Sequence, residues 1–452
     1  MRIAVIGSGI SGLSAAWLLS RRHDVTLYEK DRRLGGHSNT VTVDYDGVPV
    51  DVDTGFIVYN ERTYPNLVRL FRHLGVETEA SDMSFGVSVD GGRLEYEGSL
   101  RGLVAQPANL LSPRYWRMLG DTMRFFRSAA ELLKDPDTGA PPGGPTLGEW
   151  LAREGYGEGF VEDHILPMGA AIWSCPVATM LEFPARSFVQ FFENHQLLNL
   201  MERPRWRTVT GGSRRYVARI ALELPGRIRT ATPVVRVAPG PAGVTVTEVD
   251  GGTATYDHVV LATHGDQALR LIAEPTADEV GVLGRFRYQP NVAVLHRDPA
   301  QMPRRRAAWA AWNYQADRDG PDDGQPADRR VALTYWMNRL QNLDPDRPLF
   351  VTMNPLREPD PATVFARISY EHPVFDSAAI AGQRALPAIQ GRRRLWFCGS
   401  YAGWGFHEDG LKAGIAVATA LGVAPPWPCD VRPADYREDP AAGAAILADA
   451  AD

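Results

Sequence analysis

The spacing of glycines near the start of the chain is the first sign of chemistry. Gly7-Ser8-Gly9-Ile10-Ser11-Gly12 reads G-x-G-x-x-G, and a carboxylate, Glu29, ends the next apolar run. Glycine at 7 permits a tight turn. At 9 it lets backbone N–H groups approach a pyrophosphate, and at 12 it lets a helix pack closely on a strand. Glu29 is spaced to accept hydrogen bonds from a ribose 2′-hydroxyl, which disfavours a 2′-phosphate. A second glycine pair lies in Arg33-Leu34-Gly35-Gly36-His37-Ser38-Asn39-Thr40 and offers another close backbone approach.

Side chains able to move protons gather in two further places. Tyr401-Ala402-Gly403-Trp404-Gly405-Phe406-His407-Glu408-Asp409 combines aromatics, an imidazole and two acids, and reads as a loop. His407, as a base, and Tyr401, in a pocket wall, are candidate catalytic residues; the plainer alternatives are a solvated loop and a structural histidine. The other place is an aromatic block with Trp173, Phe183, Phe191 and Phe192, followed by Asn194 and His195. Trp173, Asn194 and His195 are further candidate catalytic residues: Trp173 either packs a core or faces a substrate, while Asn194 and His195 need partners inside so apolar a block. Trp312-Asn313-Tyr314 and Tyr335-Trp336-Met337-Asn338 either line an apolar pocket or pack a sheet.

These residues need elements to hold them. Arg2 to Ile6 is a short apolar run and predicts a buried strand; Leu13 to Leu19 predicts a helix, and His23 to Glu29 a second strand. The strand–turn–helix setting is the context a G-x-G-x-x-G requires. Arg394 to Ser400 predicts a strand and turn, and Gly410-Leu411-Lys412-Ala413-Gly414 opens a helix through Leu421. Helices are also expected over 64–74, 113–133, 147–154 and 157–166, and strands of one sheet over 291–297, 330–337 and 349–353.

Taken together, Glu29, Arg33, Gly35, Gly36 and Thr40, then Asp53 and Gly55, resemble the flavin-containing amine oxidase and phytoene-desaturase-like superfamily, which reads E-x-x-x-R-x-G-G-R-x-x-T and then a D-x-G strand. His37 stands where that family has Arg. The resemblance implies FAD as cofactor. Phe397-Cys398-Gly399-Ser400 followed by Gly410 to Gly414 is similar to the family's second flavin motif, with Ser400 in place of its acid. The resemblance implies cofactor contacts from Gly7, Gly9, Ile10, Ser11, Gly12, Glu29, Lys30, Arg33, Gly35, Gly36, His37, Ser38, Gly55, Phe56, Val235, Ala262, Gly399, Ser400, Gly410, Leu411 and Ala413. Val235 would serve the adenine through its backbone. The start of the 410–421 helix would bring N–H groups to the flavin N1 and O2. The lysine that polyamine-type members use in the substrate domain has no counterpart, since the chain holds only Lys30, Lys134 and Lys412.

Ala171-Ile172-Trp173-Ser174, Asn194-His195-Gln196-Leu197-Leu198 and Gly211-Gly212-Ser213-Arg214 resemble a subgroup whose members look like partners of cyclopropane-fatty-acyl-type methyltransferases. That implies desaturation of a lipid acyl chain, methyl-branched, by hydride transfer to flavin N5. A flavin amine oxidase, with Glu408, Asp409 and Trp404 as an amine cage, is the rival. A flavoprotein without net redox turnover, an isomerase or partner subunit, is the third reading.

Length and composition bound the rest. A chain of 452 residues is too long for one ordinary core. The expected fold is α/β: a Rossmann-like FAD-binding domain with a discontinuous α+β substrate domain, a mixed sheet plus helices. Residues 1–60, 205–270 and 385–425 are expected in the first, 61–204 and 271–384 in the second, and 426–452 as a loosely packed tail. The net charge is −6, and no basic run is long enough to bind nucleic acid. Cys175, Cys398 and Cys429 form neither a metal spacing nor a disulfide framework. A strand at the N-terminus and the lack of a long apolar stretch predict a cytoplasmic chain without a spanning helix. Leu110 to Leu133 interleaves Arg114, Arg117, Arg124 and Arg127 with Tyr115, Trp116, Met118, Phe125 and Phe126. That pattern suits peripheral membrane contact or an internal helix over the substrate.

Overall fold

The computed structural model of the protein describes residues 1–134, 144–173, 177–194, 198, 204–318, 329–429 and 431. Its first layer is a parallel sheet in the order Ile228–Arg229, Asp24–Tyr28, Arg2–Ile6, His258–Leu261, Leu395–Phe397. Arg2–Ile6 is central and covered on both faces, as its run of Ile, Ala and Val requires. Helix Ile10–Leu19 is buried along its whole length. It lies against the sheet on one side and against helix His407–Ala420 on the other. Small residues make this possible: a Cβ on Gly12 would stand 1.9 Å from the Gly7 carbonyl oxygen, and one on Gly414 2.4 Å from that of Ser11.

The second layer is a seven-stranded sheet in the order Val364–Pro373, Tyr288–His296, Phe350–Met353, Arg329–Trp336, Trp312–Arg318, Phe85–Val89, Leu94–Glu97. It holds the three expected strands. Only Trp312–Arg318 beside Phe85–Val89 is a parallel pair. One core unites this sheet with helices Pro113–Ser128, Leu147–Arg153, Leu166–Trp173 and Ala185–Asn194. The expected helix over 157–166 runs on to Trp173 through a wider turn at Val161–Ile165.

Packing assigns several segments differently from the expected division. Helix Pro65–Leu74 shares the core of helices Ile10–Leu19 and His407–Ala420. Helices Ala277–Leu283 and Ser377–Ala385 cover the other face of the parallel sheet. Their apolar stripes read alike in sequence, so only the partner surface decides the layer. The tail begins docked: Trp427 stacks on Trp17 with ring centroids 5.9 Å apart.

Candidate functional site

Ligands of open α/β sheets bind in a crevice outside the carboxyl ends of the parallel strands. Gly7 leaves Arg2–Ile6 with φ +100°, a turn that L side chains rarely make. The next helix has no side-chain cap at Gly9, so its first N–H groups are left for a ligand. A Cβ at Gly9 would meet nothing within 4 Å, whereas those at Gly7 and Gly12 would strike backbone. Glu29 is buried and accepts from the Ser8 N–H at 3.0 Å and the Ser8 hydroxyl at 2.6 Å. The second glycine pair lies over this turn: the Gly35 N–H reaches the Ser8 carbonyl at 3.0 Å. Ala231 and Thr232 donate to the carbonyls of Asp31 and Glu29, which brings the next strand beside the Glu29 end of the crevice. Val235 is the bulged residue of that strand, skipped in its pairing, so its backbone stands outside the ladder.

At the other end stands His407. Its ring lies flat on Phe56, with centroids 3.8 Å apart and planes 8° apart. Nε2 is 2.7 Å from the Tyr216 hydroxyl and 3.1 Å from Ser38 Oγ, and Ser38 and Tyr216 also bond to each other. Burial pulls the imidazole down to about 3, so it is neutral at ordinary pH.

Beside it lies a group of imidazoles. His37 stacks on Tyr370 at 4.9 Å and lies 5.4 Å from His372 and 6.4 Å from His264. His264 in turn stacks on Tyr288 at 4.2 Å. Burial first, then the neighbouring imidazoles, hold His37 well below its ordinary value. Its Nε2 is buried without a hydrogen-bond partner. A buried unpartnered polar atom costs free energy unless something fills its place. Tyr370 is fixed by Asn39 Nδ2 at 3.0 Å and Thr54 Oγ1 at 2.9 Å.

Tyr216, Tyr288, Tyr370, His264 and His372 are absent from the sequence-based set. The alternation Tyr370-Glu371-His372 puts a phenol and an imidazole on one strand face, but nothing in the sequence says which face meets Gly36-His37.

Several expectations need correction. The C-terminal helix begins at His407, one turn before Gly410. Its acidic first turn favours that start, and the Phe406 N–H bonds to the Asp409 carboxylate at 3.0 Å. Gly410 N–H is therefore used within the helix, and Leu411 and Ala413 are buried in the core. The N–H groups facing outward from the helix start belong to His407, Glu408 and Asp409. Neither acid forms an amine cage. Glu408 caps helix Pro65–Leu74, accepting from the N–H groups of Asn66 at 3.0 Å and Leu67 at 2.9 Å. Asp409 folds back over Gly403, and burial raises it to about 6.

Tyr401 is no wall residue. It packs in the core of the parallel sheet against Phe286, 4.6 Å away. Its ring lies over Gly399, where a Cβ would stand 2.3 Å from it. Trp173 packs among Phe183, Phe188 and Phe191, and its Nε1 has no partner. Asn194 closes helix Ala185–Asn194, and His195 lies outside the described residues. Lys30 points to solvent beside Asp31, and Arg33 is exposed. Trp312 and Tyr335 face each other across paired strands, and Asn313 and Asn338 bond to backbone, so these stretches pack the sheet. What the fold does bring together is the aromatic block and the turn before His407: Phe191 stacks on Phe406 at 5.1 Å and meets Trp404 at 6.2 Å.

The residues fit FAD. The uncapped helix start and the open space at Gly9 lie beside Gly36, and the next residue, His37, has an unpartnered Nε2. Gly9, Ile10 and Ser11 would hold the pyrophosphate, Glu29 the ribose, Val235 the adenine, and Gly36, His37 and the His407 helix start the flavin end.

The comparisons with known proteins agree. The model of the family described as flavin containing amine oxidoreductase matches residues 10–299, well over half of the chain. An L-amino acid dehydrogenase of Synechocystis is 26% identical over 55% of this chain, and the chain spans about half of that relative, 52%. A carotenoid phi-ring synthase of Streptomyces griseus is 26% identical over 93% of each chain. Among solved structures, a fatty acid isomerase from P. acnes that produces CLA superposes with a TM-score of 0.67 at 16% identity, over 93% of this chain and 99% of that one. The chain belongs to the flavin containing amine oxidoreductase family.

Proposed function

We propose that the enzyme desaturates an acyl chain of a lipid, with methyl-branched chains as the substrate class. One observation carries this reading: the turn before His407 is walled by aromatic side chains, with Phe191 against both Trp404 and Phe406. Such a wall orients a chain that has no polar handle and keeps water out. Bound FAD supplies the acceptor for the hydride that leaves the chain. The neutral imidazoles of His37, His372 and His407 add no fixed charge to the site. The carotenoid and fatty acid proteins among the similar chains act on long apolar molecules by their names, which supports the same class.

Amine oxidation is the second reading, favoured by the similarity to the L-amino acid dehydrogenase. Against it, both acids of the His407 turn are used inside the protein, and none of the three lysines lies at the site: Lys30 and Lys134 pair with Asp31 and Glu131, and Lys412 is exposed on the C-terminal helix.

The test is the lipid extract of a host with and without the gene, compared by mass spectrometry. Desaturation gives acyl chains lighter by one hydrogen molecule. An isomerised chain of unchanged mass, or an unaltered lipid profile, contradicts the proposal.

A further inference from the structure

We infer that residues 100–117 form a docking surface for an anionic lipid bilayer. Burial there is inverted. Gln106 and Asn109 are inside, while Leu100, Val104, Leu110, Leu111 and Trp116 are outside, with Leu111 87% and Leu100 86% exposed. Isolated exposed apolar side chains are ordinary, but so many within one short stretch mark an interaction site.

The arrangement is fixed from below. Gln106 Oε1 accepts from the Glu95 N–H at 2.7 Å, and Asn109 Nδ2 donates to the Glu95 carbonyl at 3.1 Å. The Tyr115 hydroxyl donates to the Leu103 carbonyl at 2.8 Å, which ties helix Leu100–Leu103 to helix Pro113–Ser128. In the chain, Leu100 and Val104 lie next to the Leu103 end of that bond, and Trp116, bonded to Leu110, lies next to its Tyr115 end. Trp116 Nε1 donates to the Leu110 carbonyl at 2.8 Å, so the indole carries no unmet donor into an apolar layer.

Charge selects the occupant. No Asp or Glu occurs from residue 98 to 120, and Arg101 and Arg117 are exposed there. The nearest carboxylates are tied down, Glu97 by the Ser99 N–H at 3.0 Å and Asp121 by Arg124 at 3.0 Å and the Gly157 N–H at 2.9 Å, so a basic stretch around exposed Leu and Trp matches an anionic bilayer boundary. The surface differs from the one expected over 110–133. Arg114 is held by Asp163 at 2.9 Å, Glu162 at 2.8 Å and the exposed Glu158 at 3.3 Å. Arg124 lies over the Tyr156 ring and bonds Asp121, and Phe125 is fully buried.

The test is co-sedimentation of the FAD-loaded full chain with vesicles, without turnover, so its failure and that of the proposed reaction stay distinct. Wild type should sediment with phosphatidylglycerol-containing vesicles more than with pure phosphatidylcholine, and added salt should release it. Leu100→Glu with Leu111→Glu should cut the bound fraction about tenfold or more. Leu222→Glu, exposed on helix Arg214–Leu222, should not. FAD content should stay constant throughout. A wild type that ignores anionic vesicles, or a double variant that binds like wild type, overturns the inference. So does a wild-type dimer that the double variant splits while neither binds lipid, which would give the surface to a second copy of the chain.

Discussion

Gly9 and Gly12 sit one helical turn apart and answer to different constraints. A side chain at 9 meets only the space a pyrophosphate would use, while one at 12 meets the Gly7 carbonyl at 1.9 Å. Gly9→Val should therefore abolish FAD binding and leave the melting temperature of the apoprotein near wild type. Gly12→Ala should lower that temperature as well, because helix and strand must separate. Flavin absorbance of the purified variants and thermal melts without added FAD check both; loss of fold in Gly9→Val would contradict this division. Roles carried by backbone were legible in the sequence, since Gly7, Gly9 and Gly12 act by what they lack. His37 was legible as a cofactor contact only through the family resemblance, and its surroundings were not. Its meaning depends on His264, Tyr370 and His372, which come from remote strands. His407 was legible as a residue of the site, but its stacking on Phe56 and its depressed basicity need the fold.

Among elements, the C-terminal helix is the instructive case. The glycine spacing at 410 and 414 pointed to a helix and to flavin contacts, whereas both glycines lie against helix Ile10–Leu19. The start was misplaced because His407-Glu408-Asp409 reads as a polar loop, whereas acids also favour a helix N-terminus. Glu408 serves a second helix too, by capping Pro65–Leu74 with bonds to Asn66 and Leu67. Glu408→Ala should leave these buried donors unmet and cost roughly 2–4 kcal/mol. Urea unfolding should show a lower midpoint with an unchanged slope. A midpoint equal to wild type would mean that the cap is replaceable by water. The seven-stranded sheet shows the limit of pattern reading. Its alternation announced several strands, but the parallel neighbour Phe85–Val89 joins from far away in sequence and leaves no local trace.

For the whole molecule, acid is the informative variable. His164, His296 and His372 are held down to about 4 and His407 to about 3, all by burial. Between about pH 6.5 and 4 the unfolded chain takes up protons on these rings and the folded chain does not, so stability falls as pH falls. Asp53 and Asp409, raised to about 6 by burial, work in the opposite direction over about pH 6 to 4, because the folded form protonates first. The histidines are more numerous and shifted further. The melting temperature should drop on acidification below about pH 6.5; a rise would show that the carboxylates dominate. No helix among the described residues is long and apolar enough to cross a membrane. The most direct measurement is anaerobic mixing of the FAD-loaded protein with a candidate substrate while the visible flavin band is followed. A phospholipid bearing a methyl-branched acyl chain should bleach the flavin, and spermine should not. Rapid bleaching by spermine or another simple amine, with none from the lipid, would contradict the account.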